Sequence, residues 1–73
     1  MMGEPIETSC VDGKWRNSVG SGLLSGEYDS RESAVEVARE VARLRGVAHV
    51  IRAADGSVHE RNQYPRRSEE LPG

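Results

Sequence analysis

Ile6-Glu7-Thr8-Ser9-Cys10-Val11-Asp12-Gly13-Lys14-Trp15-Arg16-Asn17-Ser18-Val19 decides the reading of this chain. Two weakly alternating runs flank Asp12-Gly13. Asp-Gly favours the positive φ angles of a tight two-residue turn, so the stretch predicts a β-hairpin. A two-residue turn pairs Val11 with Lys14, Cys10 with Trp15, Thr8 with Asn17 and Ile6 with Val19. One face then carries Ile6, Thr8, Cys10, Trp15, Asn17 and Val19. It is the more apolar face and is expected to meet the rest of the core. Glu7, Ser9, Arg16 and Ser18 take the other face, with Val11 and Lys14 at the turn.

The same dipeptide recurs as Asp55-Gly56, between β-rich residues 47–53 and residues 57–61. A second hairpin follows from it. A two-residue turn there pairs Ala53 with Val58, Arg52 with His59 and Ile51 with Glu60. Ile51, Ala53 and Val58 face inward, while Val50, Arg52, His59 and Arg61 face outward. Glu60 falls on the inner face at the sheet edge. A bulged three-residue turn shifts one strand against the other, so both registers stay open.

Between the hairpins lies a helical pattern from about Arg31 to Arg45. Ala34, Val35, Val37, Ala38, Val41, Ala42 and Leu44 fall within about half the circumference at roughly 100° per residue. Glu32, Glu36, Arg39, Glu40 and Arg43 fill the opposite half, where Glu36–Arg39 and Glu40–Arg43 are spaced to pair. Ser30 is the expected N-cap, with Asp29 and a Glu32 capping box as the alternative. Gly46 is placed to stop the helix in the left-handed conformation. The alanine stripe Ala34, Ala38, Ala42 leaves room for a large ring, and Trp15 is the ring assigned to it. On that placement Trp15→Ala removes the centre of the core and unfolds the domain.

The expectation is therefore an α+β fold: a single β-β-α-β-β domain, a four-stranded antiparallel-rich sheet of two hairpins with one helix packed on one face. Residues 1–5 form a loose end, residues 6–62 the domain and residues 63–73 a tail. Residues 20–29, rich in Gly and Ser, read as a connecting loop in which Leu23, Leu24 and Tyr28 fold towards the core edge. The direction of the third strand relative to the second is open.

The ordered set Asp12-Gly13-Lys14-Trp15, Ser30 with Ala34 and Ala38, Gly46, Asp55-Gly56-Ser57-Val58 and Arg61-Asn62-Gln63-Tyr64 resembles a small bacterial family known as domain of unknown function 2188. The resemblance spans Ile6 to Tyr64. Thr8, Ser9 and Asn17 are polar where that family tends to be apolar. The resemblance implies the fold and carries no activity, cofactor or site residue.

Composition narrows the remaining classes. The 73 residues hold one Trp, two Tyr and no Phe. A single core of this size supplies roughly 3–5 kcal/mol, and small chains often add a staple or a partner subunit. One cysteine excludes an internal disulfide, which makes a homodimer the expected supplement. The N-terminus lacks the basic-then-apolar pattern of a secretory signal. With a lone Cys10 and no apolar stretch of spanning length, the expected setting is the cytoplasm, away from membranes.

No chemistry stands out. His49 and His59, with Cys10 and Glu60, lack metal-ligand spacing and read as two partly exposed strand histidines. Cys10 has no positioned base and reads as a small apolar group. Gly20-Ser21-Gly22 follows no buried strand and opens no helix, so it reads as a connector rather than a phosphate loop. No enzyme and no cofactor is expected. Lys14, Arg16, Arg52, His59 and Arg61 fall together on the outward sheet face, as a nucleic-acid or partner surface, with Arg66 and Arg67 in the tail. Glu7 and Glu60 lie nearby and no aromatic pair waits to stack bases. A non-enzymatic, self-associating module or one contacting another protein is the leading reading. Weak, sequence-tolerant nucleic-acid binding through the basic face is the alternative.

Overall fold

A computed structural model describes residues 3–20 and 22–65 of the chain. Five strands and one helix follow in the order β1 (Ile6–Val11), β2 (Lys14–Val19), β3 (Gly22–Tyr28), α1 (Arg31–Arg45), β4 (Ala48–Arg52) and β5 (Val58–Gln63). The strands form one sheet in the order β3-β2-β1-β4-β5. The expectation of four strands in two hairpins is thus corrected. The sheet has five strands, and it is mixed, because β1 and β4 pair in parallel at Ile6–His49, Glu7–Val50 and Thr8–Ile51. Parallel neighbours need a crossover, and α1 supplies it between β3 and β4.

The first hairpin has the register that its turn dictates, from Val11–Lys14 to Ile6–Val19. Asp12 and Gly13 both take positive φ, 54° and 80°, the pairing of angles that lets a two-residue turn follow the strands' twist.

The segment read as a loop is instead β3, an edge strand on β2. Its pairing explains why it lacks a strand signature. Arg16 lies opposite Glu27 and Ser18 opposite Leu23, so β3 advances four residues while β2 advances two. That irregularity breaks the two-residue alternation in mid-strand. Gly22 and Gly26 weaken the composition further. Leu24 nevertheless packs against the core.

Helix α1 keeps its predicted ends. The Ser30 side chain accepts a hydrogen bond from the Ser33 amide at 3.2 Å, and Gly46 turns left-handed at φ 69°, ψ 42°. Its amide and that of Val47 both donate to the Ala42 carbonyl, at 2.8 and 3.1 Å. The helix lies across β1, β2, β3 and β4, with Ala34, Ala38 and Ala42 fully buried.

What those alanines cover is not the indole. Trp15 is only half-buried, set between Cys10 and Tyr28 across the strands, and it stands outside the apolar cluster of Ile6, Ala38, Ala42 and Val47. The place beneath Ala34 belongs to Asn17, whose Nδ2 donates to the Ala34 carbonyl at 2.9 Å. The largest fully buried side chains among the described residues are Ile6, His49, Asn17 and Thr8. Three of these four are polar, so this interior is organised by hydrogen bonds as much as by apolar contact.

The second hairpin takes the bulged form. Ile51 pairs with Glu60, as the shorter turn requires, but Arg52 then pairs with Val58, leaving His59 as the extra residue. The Gly56 amide donates to the Ala53 carbonyl at 2.9 Å and the Ala53 amide to Ser57 at 2.8 Å. Only Gly56 (φ 95°) is left-handed in this turn. Val58, expected inside, is therefore exposed. Strand β5 continues to Gln63, and Tyr64 packs against the core. Residues 66–73 of the expected tail, with Arg66 and Arg67, lie outside the described residues, as do residues 1, 2 and 21.

Candidate functional site

The outward sheet face collects Lys14, Arg16, Arg52 and Arg61, with His59 at the bulge of β5, but three of these cations are already neutralised. Arg16 on β2 forks onto Glu27 of β3, with Nη2 and Nε donating to one carboxylate oxygen at 2.5 and 2.9 Å. Arg52 on β4 donates to Glu7 of β1 at 3.1 Å and to the Gly56 carbonyl at 3.0 Å. Lys14 meets Asp29 at 2.5 Å. Their hydrogen bond, more than their mutual charge, raises the Lys14 ammonium above its ordinary value and lowers the Asp29 carboxyl. Both groups are solvated, so the pair adds little stability. His59 and Arg61 are exposed, and neither makes an ion pair among the described residues. Phosphates approaching this face would compete with Glu27, Glu7 and Asp29 for most of its charge.

The helix side of the sheet holds a different arrangement. Alternation places Thr8 of β1, Asn17 of β2 and His49 of β4 on the same inward face as Ile6 and Ile51. All three polar residues are fully buried. His49, read as partly exposed, is corrected on this point: β4 has β1 on one side, β5 on the other and α1 above. The Thr8 hydroxyl donates to Asn17 Oδ1 at 2.6 Å and lies 2.8 Å from His49 Nε2.

The proton positions follow in sequence. The Ala34 carbonyl can only accept, so Asn17 turns its NH2 to it and leaves Oδ1 for Thr8. The Thr8 proton goes to that oxygen. The remaining lone pair of Thr8 accepts from His49, which must carry its proton on Nε2. In the neutral ring His49 Nδ1 is then an unprotonated acceptor, buried and without a hydrogen-bond partner among the described residues. Burial pushes the His49 imidazole below its ordinary pKa, Glu60 opposes this and Arg39 reinforces it, which keeps the ring neutral.

His49 and Ile51 floor a groove of about 480 Å³ between α1 and β5. Its helix wall carries Arg31, Glu32, Val35, Glu36 and Arg39, and its far wall Glu60, Asn62 and Tyr64. Glu60, the awkward inward acid of the sequence reading, is thus part of a wall, where it accepts from Asn62 Nδ2 at 3.0 Å. The groove exists because α1 sits over the centre of the sheet while β5 extends beyond it.

Residues 9–64 match the family described as "Uncharacterized protein conserved in bacteria (DUF2188)". The chain belongs to this family. No curated protein and no solved structure matches it. The DUF2188 match takes in Asn17, His49 and every residue lining the groove, and begins one residue after Thr8.

Within the described residues of this DUF2188 domain, no three His, Cys, Asp or Glu side chains gather to hold a metal ion. Cys10 is a half-buried free thiol. No described helix is long and apolar enough to cross a membrane. The buried triad was within reach of the sequence: two polar residues, Thr8 and Asn17, directly opposite each other on an inward face need partners, and alternation from Ile51 puts His49 on that face.

Proposed function

We propose that this DUF2188 domain is a non-enzymatic interaction module that self-associates by pairing β5 with β5 of a second copy. The observation that carries the reading is the position of β5 at the end of the sheet, with its outer row of backbone donors and acceptors facing away from β4. An exposed edge is a template for a further strand. The opposite edge, β3, is less suited, because two glycines and its irregular register spoil a straight ladder. Beyond the His59 bulge, β5 pairs regularly through Glu60, Arg61, Asn62 and Gln63. An antiparallel β5–β5 contact closes under a two-fold axis and so yields a dimer rather than a filament.

Sedimentation equilibrium at micromolar to high micromolar concentration tests this. A reversible monomer–dimer equilibrium is expected, and a clean monomer throughout defeats the reading. Proline substitution locates the contact. Successive strand residues point their amides to opposite sides, so of Arg61→Pro and Asn62→Pro one breaks the β4 ladder and the other only the outer edge. The second is expected to leave the fold intact and abolish the dimer.

A further inference from the structure

Strand β5 carries an acid and a base at adjacent positions of its outer edge. Glu60, Arg61 and Gln63 are exposed and Asn62 is half-buried. Glu60 and Asn62, opposite Ile51 and His49 of β4, take the helix face of the sheet. Arg61 and Gln63, opposite Val50 and Ala48, take the outer face. When two such edges pair antiparallel about a two-fold axis, residues directly opposite share a face, so one residue of β5 must face its own copy.

Four residues could occupy that centre. Glu60 at the centre sets two carboxylates against each other, and Arg61 sets two guanidiniums; like charges directly opposite are destabilising. Both choices also draw His59, the extra residue of the bulge, into the new ladder, which a bulge disrupts. Gln63 at the centre sets Pro65, which has no N–H, opposite Arg61. Asn62 at the centre meets none of these obstacles. Its facing positions, 60–64, all lie beyond the bulge. Arg61 then faces Gln63 of the second copy. Glu60 faces Tyr64, whose phenol can donate to a carboxylate.

We infer that the β5–β5 dimer, on whose existence this inference rests, is centred on Asn62, with Glu60 and Arg61 excluding the two registers on one side and Pro65 the one on the other. Glu60 and Arg61 are thus specificity determinants of the contact. The axis runs perpendicular to the joined sheet. Both copies of α1 then lie on the same side, with their two grooves next to each other across the axis.

Disulfide trapping on the full chain tests the register. In a Cys10→Ser background, Asn62→Cys, Arg61→Cys and Glu60→Cys are oxidised with glutathione disulfide at a concentration where the Cys10→Ser parent sediments as a dimer. Asn62→Cys is expected to cross-link, since directly opposite Cα atoms lie about 4.5–5.5 Å apart and a disulfide spans about 4.4–6.8 Å. In that register the two copies of residue 61 stand roughly 8 Å apart and those of residue 60 roughly 14 Å, so neither is expected to cross-link. Gln63→Glu, at an exposed position, places a carboxylate opposite Arg61 twice per dimer. It is expected to lower the dimer dissociation constant at least about twofold at low salt, and the gain should vanish near about 1 M salt. In a chain that sediments as a dimer, slower cross-linking at Asn62 than at either neighbour, or a Gln63→Glu dimer no tighter than the parent, overturns the register and leaves the dimer reading standing. A parent that sediments as a monomer throughout overturns that reading and the register with it.

Discussion

Thr8→Val separates a hydrogen-bonded core from an apolar one by the sign of its effect. Thr8 lies on β1, the central strand, and is fully buried. Val is its near-isostere and favours strands at least as strongly. If the interior were held by apolar burial alone, the substitution would be neutral or stabilising, with a methyl replacing a hydroxyl for a gain of at most about 1 kcal/mol. The structure demands the opposite. Removing the hydroxyl strips Asn17 Oδ1 of its donor at 2.6 Å and His49 Nε2 of its acceptor at 2.8 Å. Two buried polar groups left unpaired cost about 1–3 kcal/mol each. The net loss is about 3 kcal/mol, most of what a core this small supplies. Urea unfolding followed by Trp15 fluorescence and far-ultraviolet circular dichroism measures it. With a denaturant slope near 1 kcal/mol per molar, the midpoint falls by about 3 M or the variant is unfolded in buffer. Thr8→Ser, which keeps the hydroxyl and loses only a methyl, is the control and should cost about 1 kcal/mol. A Thr8→Val midpoint equal to or above wild type would refute the network as a source of stability.

The remaining predictions concern pH, the helix ends and the sheet face. Burial lowers the His49 pKa, so the unfolded chain takes up a proton that the folded chain refuses. Stability from this group is full above the unfolded value near about 6.5 and declines as pH falls through the window between that value and the lower folded one. Thermal melts between pH 7 and 5 should show the decline, His59→Gln should retain it, and a flat profile would contradict the burial of His49. Gly46→Ala forces a side chain into the left-handed stop at φ 69° and should cost about 1 kcal/mol, read from the urea midpoint. Ser30→Ala removes the bond to the Ser33 amide and should cost a similar amount, about 1 kcal/mol. Because Lys14, Arg16 and Arg52 are paired with carboxylates, fluorescence titration with short DNA and RNA at low salt should give no saturable binding; salt-sensitive saturation lost in Arg61→Gln would restore the nucleic-acid reading.

Local chemistry made much of this fold legible. Asp12-Gly13, Ser30 and Gly46 each act through their immediate neighbours, and the hairpin register and both helix ends follow from them. The two Asp-Gly pairs show where such reasoning stops. Asp12 accepts the left-handed conformation, whereas Asp55 turns its carboxylate to the Ser57 amide and hydroxyl, at 3.0 and 2.7 Å. That local bond accompanies a turn in which only Gly56 is left-handed. Those same bonds hold the Asp55 carboxyl below its ordinary pKa. One residue beyond the dipeptide thus distinguishes two turn types. Strand β3 and the parallel β1–β4 pair are matters of tertiary contact. β3 is held by its ladder to β2 despite two glycines, and nothing near Ala48 in sequence reports that its strand will run beside β1.

The substitution of Asn17 for Trp15 beneath the helix has a further consequence for the site. A ring under Ala34, Ala38 and Ala42 would have filled the interior and left His49 to point elsewhere. With a short amide there instead, the helix backbone itself becomes part of the polar network through the Ala34 carbonyl. The orientation of the His49 ring is therefore set from the helix, through Asn17 and Thr8, across three strands. The same helix supplies one wall of the groove that His49 floors. A shift of α1 relative to the sheet would loosen the Asn17 bond and change the width of the groove together. The groove's shape and the orientation of the buried His49 ring are thus coupled by one contiguous set of hydrogen bonds.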